Sequence, residues 1–256
     1  MNRGLIHAAV IAGLLCCVAG ARADTLTIGS PGPAFPVNSI PFGSYSGNAL
    51  SGTTTVYQQI YSASEFPGTI DITGISFLEA PTSTSNGIVP GIYTLSFLTT
   101  SIPVGGLIGC TLLTCNLGGA VPEPFFTGSL PASTSGTPPE LTIPVSVGGA
   151  PFVYNPASGN LLLYVVAIDQ PPGANLATFE SDSSGNLMSR AYWVVGTNAT
   201  NPDGNALVTQ FAYTAMPVAE PATWALFAAG LLVLGAVRGW PLTRSMRTRR
   251  GGAGPA

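Results

Sequence analysis

The stretch Leu161 to Ile168 reads LLLYVVAI, apolar at odd and even positions alike. Successive side chains of a strand point to opposite faces. A strand of this composition therefore needs cover on both sides, and it reads as the central, fully buried strand of a sheet. Any fold for the chain has to place a second layer against each face of that strand.

The rest of the chain supplies short β segments between clusters of Gly, Pro, Ser and Asn. Thr53 to Tyr61 (TTTVYQQIY) is the first clear one. Thr69 to Leu78 follows with a change of phase: Ile70 and Ile72 share one face, and Ile75 and Phe77 share the other. Gly74 lies between them, where a bulge is expected. Ile92 to Leu98 alternates, with Tyr93, Leu95 and Phe97 on one side. Pro122 to Leu130 is weaker. Leu141, Ile143, Val145 and Val147 alternate with polar positions and Pro144, which cannot donate to a ladder, so this is an edge strand. Arg190 to Val195 and Ala206 to Tyr213 complete the set. No amphipathic helix is present in the pattern. About eight strands of this kind predict an all-β fold, an antiparallel β-sandwich or jelly roll.

Charge narrows the functions. The chain has no Lys, and between Asp24 and Pro217 the single base Arg190 stands against ten acids, a balance of −9. Nucleic acid is excluded as a partner, because phosphate binding needs clustered Lys and Arg. The one histidine, His7, lies in the leader described below, so Ser-His-Asp catalysis has no base. Paired carboxylates remain among Glu123, Glu140, Glu180, Asp182 and Asp203, as in glycosidases. Most of these sit beside Pro, Gly or Ser, where acids commonly serve turns. Glu180 to Gly185 has a faint calcium-loop look, but Ala191 occupies the position where an EF-hand loop needs its bidentate acid. Asn198, Asn201, Asp203 and Asn205 form a second oxygen-rich loop. Tyr57 and Tyr61 share a face, whereas Tyr192 and Trp193 point oppositely, so one of that pair is expected in the core. No catalytic residue, metal or cofactor is assigned.

Met1 to Ala23 reads as a secretory signal peptide. Arg3 supplies the positive start, Leu5 to Ala19 the apolar region and Ala21-Arg22-Ala23 the cleavage site, so the mature chain begins at Asp24. Cys16 and Cys17 leave with the leader. Cys110 and Cys115 remain, and in an oxidising compartment a disulfide closing their small loop is favoured over a metal site or a catalytic thiol.

The C-terminal end has three parts in a fixed order. Ala219-Glu220-Pro221 comes first. An apolar run follows, Trp224 to Val237, carrying Leu231, Leu232, Val233 and Leu234. A basic tail closes it, with Arg238, Arg244, Arg247, Arg249 and Arg250. Pro221 suits a helix start, and Trp224 and Trp240 bracket the run as interfacial aromatics do. Stretched from Pro221 to Trp240, the run is long enough to span a bilayer. By the positive-inside rule the tail stays cytoplasmic and the chain before it is exported.

This arrangement resembles the PEP-CTERM sorting signal of Gram-negative bacteria, with Ala219 standing where the family has its first proline. The resemblance implies processing by an exosortase, a membrane-embedded cysteine transpeptidase that reads Glu220 and Pro221. YQQIYSASEFPGTIDITGISF, PFVYNPASGNLLLYVV and Ser189-Arg190-Ala191-Tyr192 resemble a recurrent β-rich ectodomain of the same family, one without an assigned activity. The expected organisation is a signal peptide (1–23), an exported domain (24–217), a sorting signal with a transmembrane helix (218–250) and a short disordered tail (251–256). The expected role is structural or adhesive, at the cell surface or in the extracellular polysaccharide, after a transient stay in the inner membrane. A carbohydrate-binding module is the alternative, and a carboxylate-dependent glycan hydrolase a third reading.

Overall fold

The computed structural model describes residues 23–30, 37–43, 53–83, 87–109, 114–137, 139–145, 150–170, 177–194 and 200–216. Fourteen strands lie among them: β1 (Ala23–Ile28), β2 (Val37–Asn38), β3 (Thr53–Tyr61), β4 (Ile70–Leu78), β5 (Ile92–Thr100), β6 (Pro124–Gly128), β7 (Glu140–Pro144), β8 (Phe152–Tyr154), β9 (Asn160–Gln170), β10 (Phe179–Asp182), β11 (Met188–Val194), β12 (Thr200–Asp203), β13 (Ala206–Leu207) and β14 (Thr209–Ala215). The fold is all-β and every strand pairing is antiparallel. The count exceeds the expected eight because several strands are only two to four residues long. Segments that short carry no readable period.

The larger sheet runs β12-β11-β3-β9-β5-β6, and a second runs β1-β14-β4-β7 with β8 also on β4. A small sheet, β13-β10-β2, accompanies them. β9 holds the centre of the larger sheet, as its sequence requires. Leu161, Leu163, Val165 and Ala167 enter the core shared with β4, β7 and β14. Leu162 and Tyr164 face the other way and are buried as well. β7 ends its sheet, which leaves Pro144 at an edge.

β4 differs from its expected phase in an informative way. Ile70, Ile72, Ile75 and Phe77 all enter one core. In the pairing with β14, Ile72 lies opposite Tyr213 and Gly74 opposite Ala212, so Thr73 is the extra residue of a bulge. The bulge shifts the alternation by one, and two apparent faces become one. Gly74 sits beside it as expected.

The outer face of the larger sheet is covered by the chain's own connection from β5 to β6, here called the strap. Leu107 and Leu117 pack onto Val56, Ile60, Leu162 and Trp193, with Ile102 and Val104 beside them. This agrees with the expectation that one of Tyr192 and Trp193 lies in the core. Trp193 is buried under the strap, and Tyr192 packs against the inner core, so both faces of β11 are covered.

Candidate functional site

The polar residues of β3 do not all face water. Tyr57, Gln59 and Tyr61 alternate inward and are fully buried. Gln59 is the hub. Its Oε1 accepts from the Leu207 N–H at 2.8 Å and from the Tyr57 hydroxyl. Its Nε2 donates to the Leu207 carbonyl at 2.8 Å and to Thr209 Oγ1 at 3.2 Å. The Tyr61 hydroxyl lies 2.9 Å from the same Thr209 oxygen. A side-chain amide thus replaces a strand neighbour for the backbone of Leu207, as buried backbone groups require.

β11 continues this network. Arg190 lies opposite Gln59, and Tyr192 opposite Tyr57. Arg190 Nε donates to Asp203 Oδ1 at 2.7 Å and Nη2 to Oδ2 at 3.1 Å, a two-pronged ion pair. Its guanidinium carbon lies 4.9 Å from the centroid of the Tyr192 ring, within cation–π range. Asp203 Oδ1 also accepts from the Asn205 N–H at 2.8 Å. Arg190 Nη1 is buried without a hydrogen-bond partner.

Electrostatics fix the protonation of this interior. Burial pushes the Tyr57 phenol well above its ordinary value, against a smaller opposing pull from the Arg190 charge. Burial raises Tyr61 and Tyr93 likewise. These phenols stay neutral hydrogen-bonding groups around neutrality, and none is poised for proton transfer there.

Beside the ion pair is a cleft of about 300 Å³. Gly105 and Leu107 of the strap form one wall, and Gly185 and Gly204 come from two turns opposite. Ser189, Arg190 and Asp203 also line it. Ser189 Oγ accepts the Gly105 N–H at 2.8 Å and ties the root of the strap to β11.

The strap is held from within. Gln58, fully buried on the outer face, donates to the Cys115 carbonyl at 2.6 Å, and its Oε1 accepts from Asn116 Nδ2 at 2.7 Å. Asn116 Oδ1 accepts from the Ile108 N–H at 3.1 Å, and Nδ2 donates to the Ile108 carbonyl at 3.0 Å. Asn116 adopts φ 61°, the left-handed conformation that Asn tolerates.

Of the five acids raised by sequence, Glu123 is exposed and Glu180 is buried on β10; the other three are placed as follows. Asp182 accepts from the Ser30 N–H at 3.1 Å and the Ser184 N–H at 2.7 Å, closing the turn after β10. Glu140 accepts from the Thr142 hydroxyl at 3.1 Å. Asp203 belongs to the ion pair. Among the described residues no group of three or more His, Cys, Asp or Glu gathers in a way that could hold a metal ion. No described Phe, Tyr or Trp is exposed, so the sugar-stacking groove expected of a carbohydrate module is not found among the described residues.

Of the sequence-predicted site residues, Cys115 is described and Cys110 is not. Ala219, Glu220, Pro221, Trp224, Leu231 to Leu234 and the arginines from Arg238 to Arg250 lie outside the described residues, as does the signal peptide up to Arg22. Among the described residues no helix is long and apolar enough to cross a membrane. Sequence reasoning missed the inward role of Gln59 and the Arg190–Asp203 pair. The signal was there in part: in YQQIY, strict alternation puts the second glutamine on the same face as both tyrosines. No protein-family model matches the chain, and no curated protein matches it either.

Proposed function

We propose that the chain is an exported structural or adhesive protein, directed to the cell surface or extracellular matrix and processed by an exosortase. The observation that carries this reading is the order of three elements near the C-terminus: Ala219-Glu220-Pro221, the apolar run from Trp224, and the arginine tail from Arg238 to Arg250. An anchor alone needs the run and the tail, not the dipeptide before them. The first compact unit of the chain ends at Met216, just before this signal. The Cys110–Cys115 disulfide is part of the same reading. It is supported by the spacing of the two cysteines, five residues apart in the exported part of the chain, and by the oxidising compartment that part would enter.

The test separates anchoring from recognition. Glu220→Ala with Pro221→Ala leaves membrane insertion intact and stops processing, so the full-length precursor accumulates in the inner membrane. Fractionation in a host with an exosortase, with an epitope placed before Val218, reads this out. Normal processing and surface delivery of the double variant would leave a plain C-terminal anchor and sink the sorting reading.

A further inference from the structure

We propose that the free edge of β1 is a self-association site, where β1 of a second copy pairs antiparallel about a two-fold axis at Leu26 and joins two sheets into one. Among the described residues β1 is bonded on one side only, to β14, over six residues in unbroken register. The N–H and C=O groups along its other side form a template for a further strand.

The other long sheets' ends are guarded, and β1 is not. Pro202 interrupts β12, and β7 closes with Pro144. β6 starts at Pro124, and its pairing with β5 slips between Leu95 and Ser96. β8 is only three residues long. Proline removes a ladder donor, and a bulge twists an edge away from a newcomer. Lysine, a common charged guard of edges, is absent from the whole chain. β1, ADTLTI, has neither proline nor bulge, and its one charge, Asp24, stands near its start.

The strand's fit to itself identifies the occupant as a second copy. Leu26 lies opposite Phe211 of β14, packs against the core and is only half-buried. Thr25 and Thr27 point the other way and are exposed. Opposite residues of a ladder share a face. A two-fold axis at Leu26 therefore sets Leu26 beside the partner's Leu26, and Thr25 beside the partner's Thr27 twice over. The leucine pair covers apolar surface left open, and threonines are favourable cross-strand neighbours. Asp24 falls opposite the partner's Ile28, so the two Asp24 residues stand about 13 Å apart along the strands. That exceeds the screening length of about 8 Å in physiological salt. Gln210 and Ala212, which flank the threonines on β14, are uncharged. Such a two-fold contact is closed, so it ends at a dimer. The proposal does not rest on the C-terminal signal.

The test uses the full chain in detergent, with its mass read by light scattering across a dilution series. The expected result is a dimer that dissociates on dilution. Thr25→Lys with Thr27→Lys changes two side chains that are exposed in the single chain but would face like charges across the dimer. Thermal melting checks its fold, and it is expected to be monomeric where the parent is dimeric. A second measurement reads the register. Copies with Thr25→Cys are mixed with copies carrying Thr27→Cys under mild oxidation. The mixture is expected to crosslink well above either variant alone. A parent that stays monomeric, a dimer that the folded lysine variant leaves intact, or crosslinking no better in the mixture would each overturn the proposal.

Discussion

Val165 shows how much one position of the central strand decides. It is fully buried, opposite Tyr57 on one side and Leu95 on the other. Its neighbours there offer no cation, so Val165→Asp would bury an unmatched carboxylate. The expected loss is several kcal/mol, about 3–5, through desolvation and lost packing. Urea unfolding measures it, and a variant as stable as the parent refutes the buried assignment. Gln59 is a contrasting case: it is polar and equally buried, yet every hydrogen-bonding group it offers inward has a partner. The sequence pattern made Val165 legible because both faces of LLLYVVAI are apolar. It left Gln59 ambiguous, because a buried glutamine is recognised only by its partner, and Leu207 lies far along the chain.

At the level of elements, the strap is the part that the sequence pattern hid. Its apolar residues have no period, since Leu107 and Leu117 are isolated anchors within the strap rather than steps of a strand or helix. The long strands were legible because their alternation or continuous apolarity reports burial directly. β2, β10, β12 and β13 were not, since two to four residues give no period. The strap's attachment makes a measurable prediction. Gln58→Leu removes the hydrogen bonds to the Cys115 carbonyl and from Asn116 Nδ2, and costs about 1–3 kcal/mol. Asn116→Ala removes the Gln58–Asn116 hydrogen bond from the other side, and with it the two contacts to Ile108. Because both break one network, the double variant should lose clearly less than the sum of the singles in a double-mutant cycle. Additive losses would show that the two side chains do not hold the strap together.

Across the whole molecule, the buried tyrosines set an alkaline limit. Burial raises Tyr57, Tyr61 and Tyr93 well above their ordinary value of 10.0, and Tyr154 to about 12. Above about pH 10 the unfolded chain releases phenolic protons that the folded chain keeps, so stability falls as pH rises. Below that pH these groups contribute no pH dependence. The melting temperature should therefore drop from about pH 10 through 12, with phenolate absorbance appearing together with unfolding. Phenolate forming near the ordinary value in a chain that still melts normally counts against the buried network. The position of β14 bears on a different kind of stress. It is flanked by β1 along one edge and β4 along the other, over Ala23 to Ile28 and Ile70 to Phe77. Its last residue, Ala215, is where the domain leads into the C-terminal segment. In a chain tethered at that end, a pull along β14 shears two ladders at once instead of unzipping one bond at a time. Under the proposed C-terminal anchoring, β14 is thereby the strand placed to bear mechanical load.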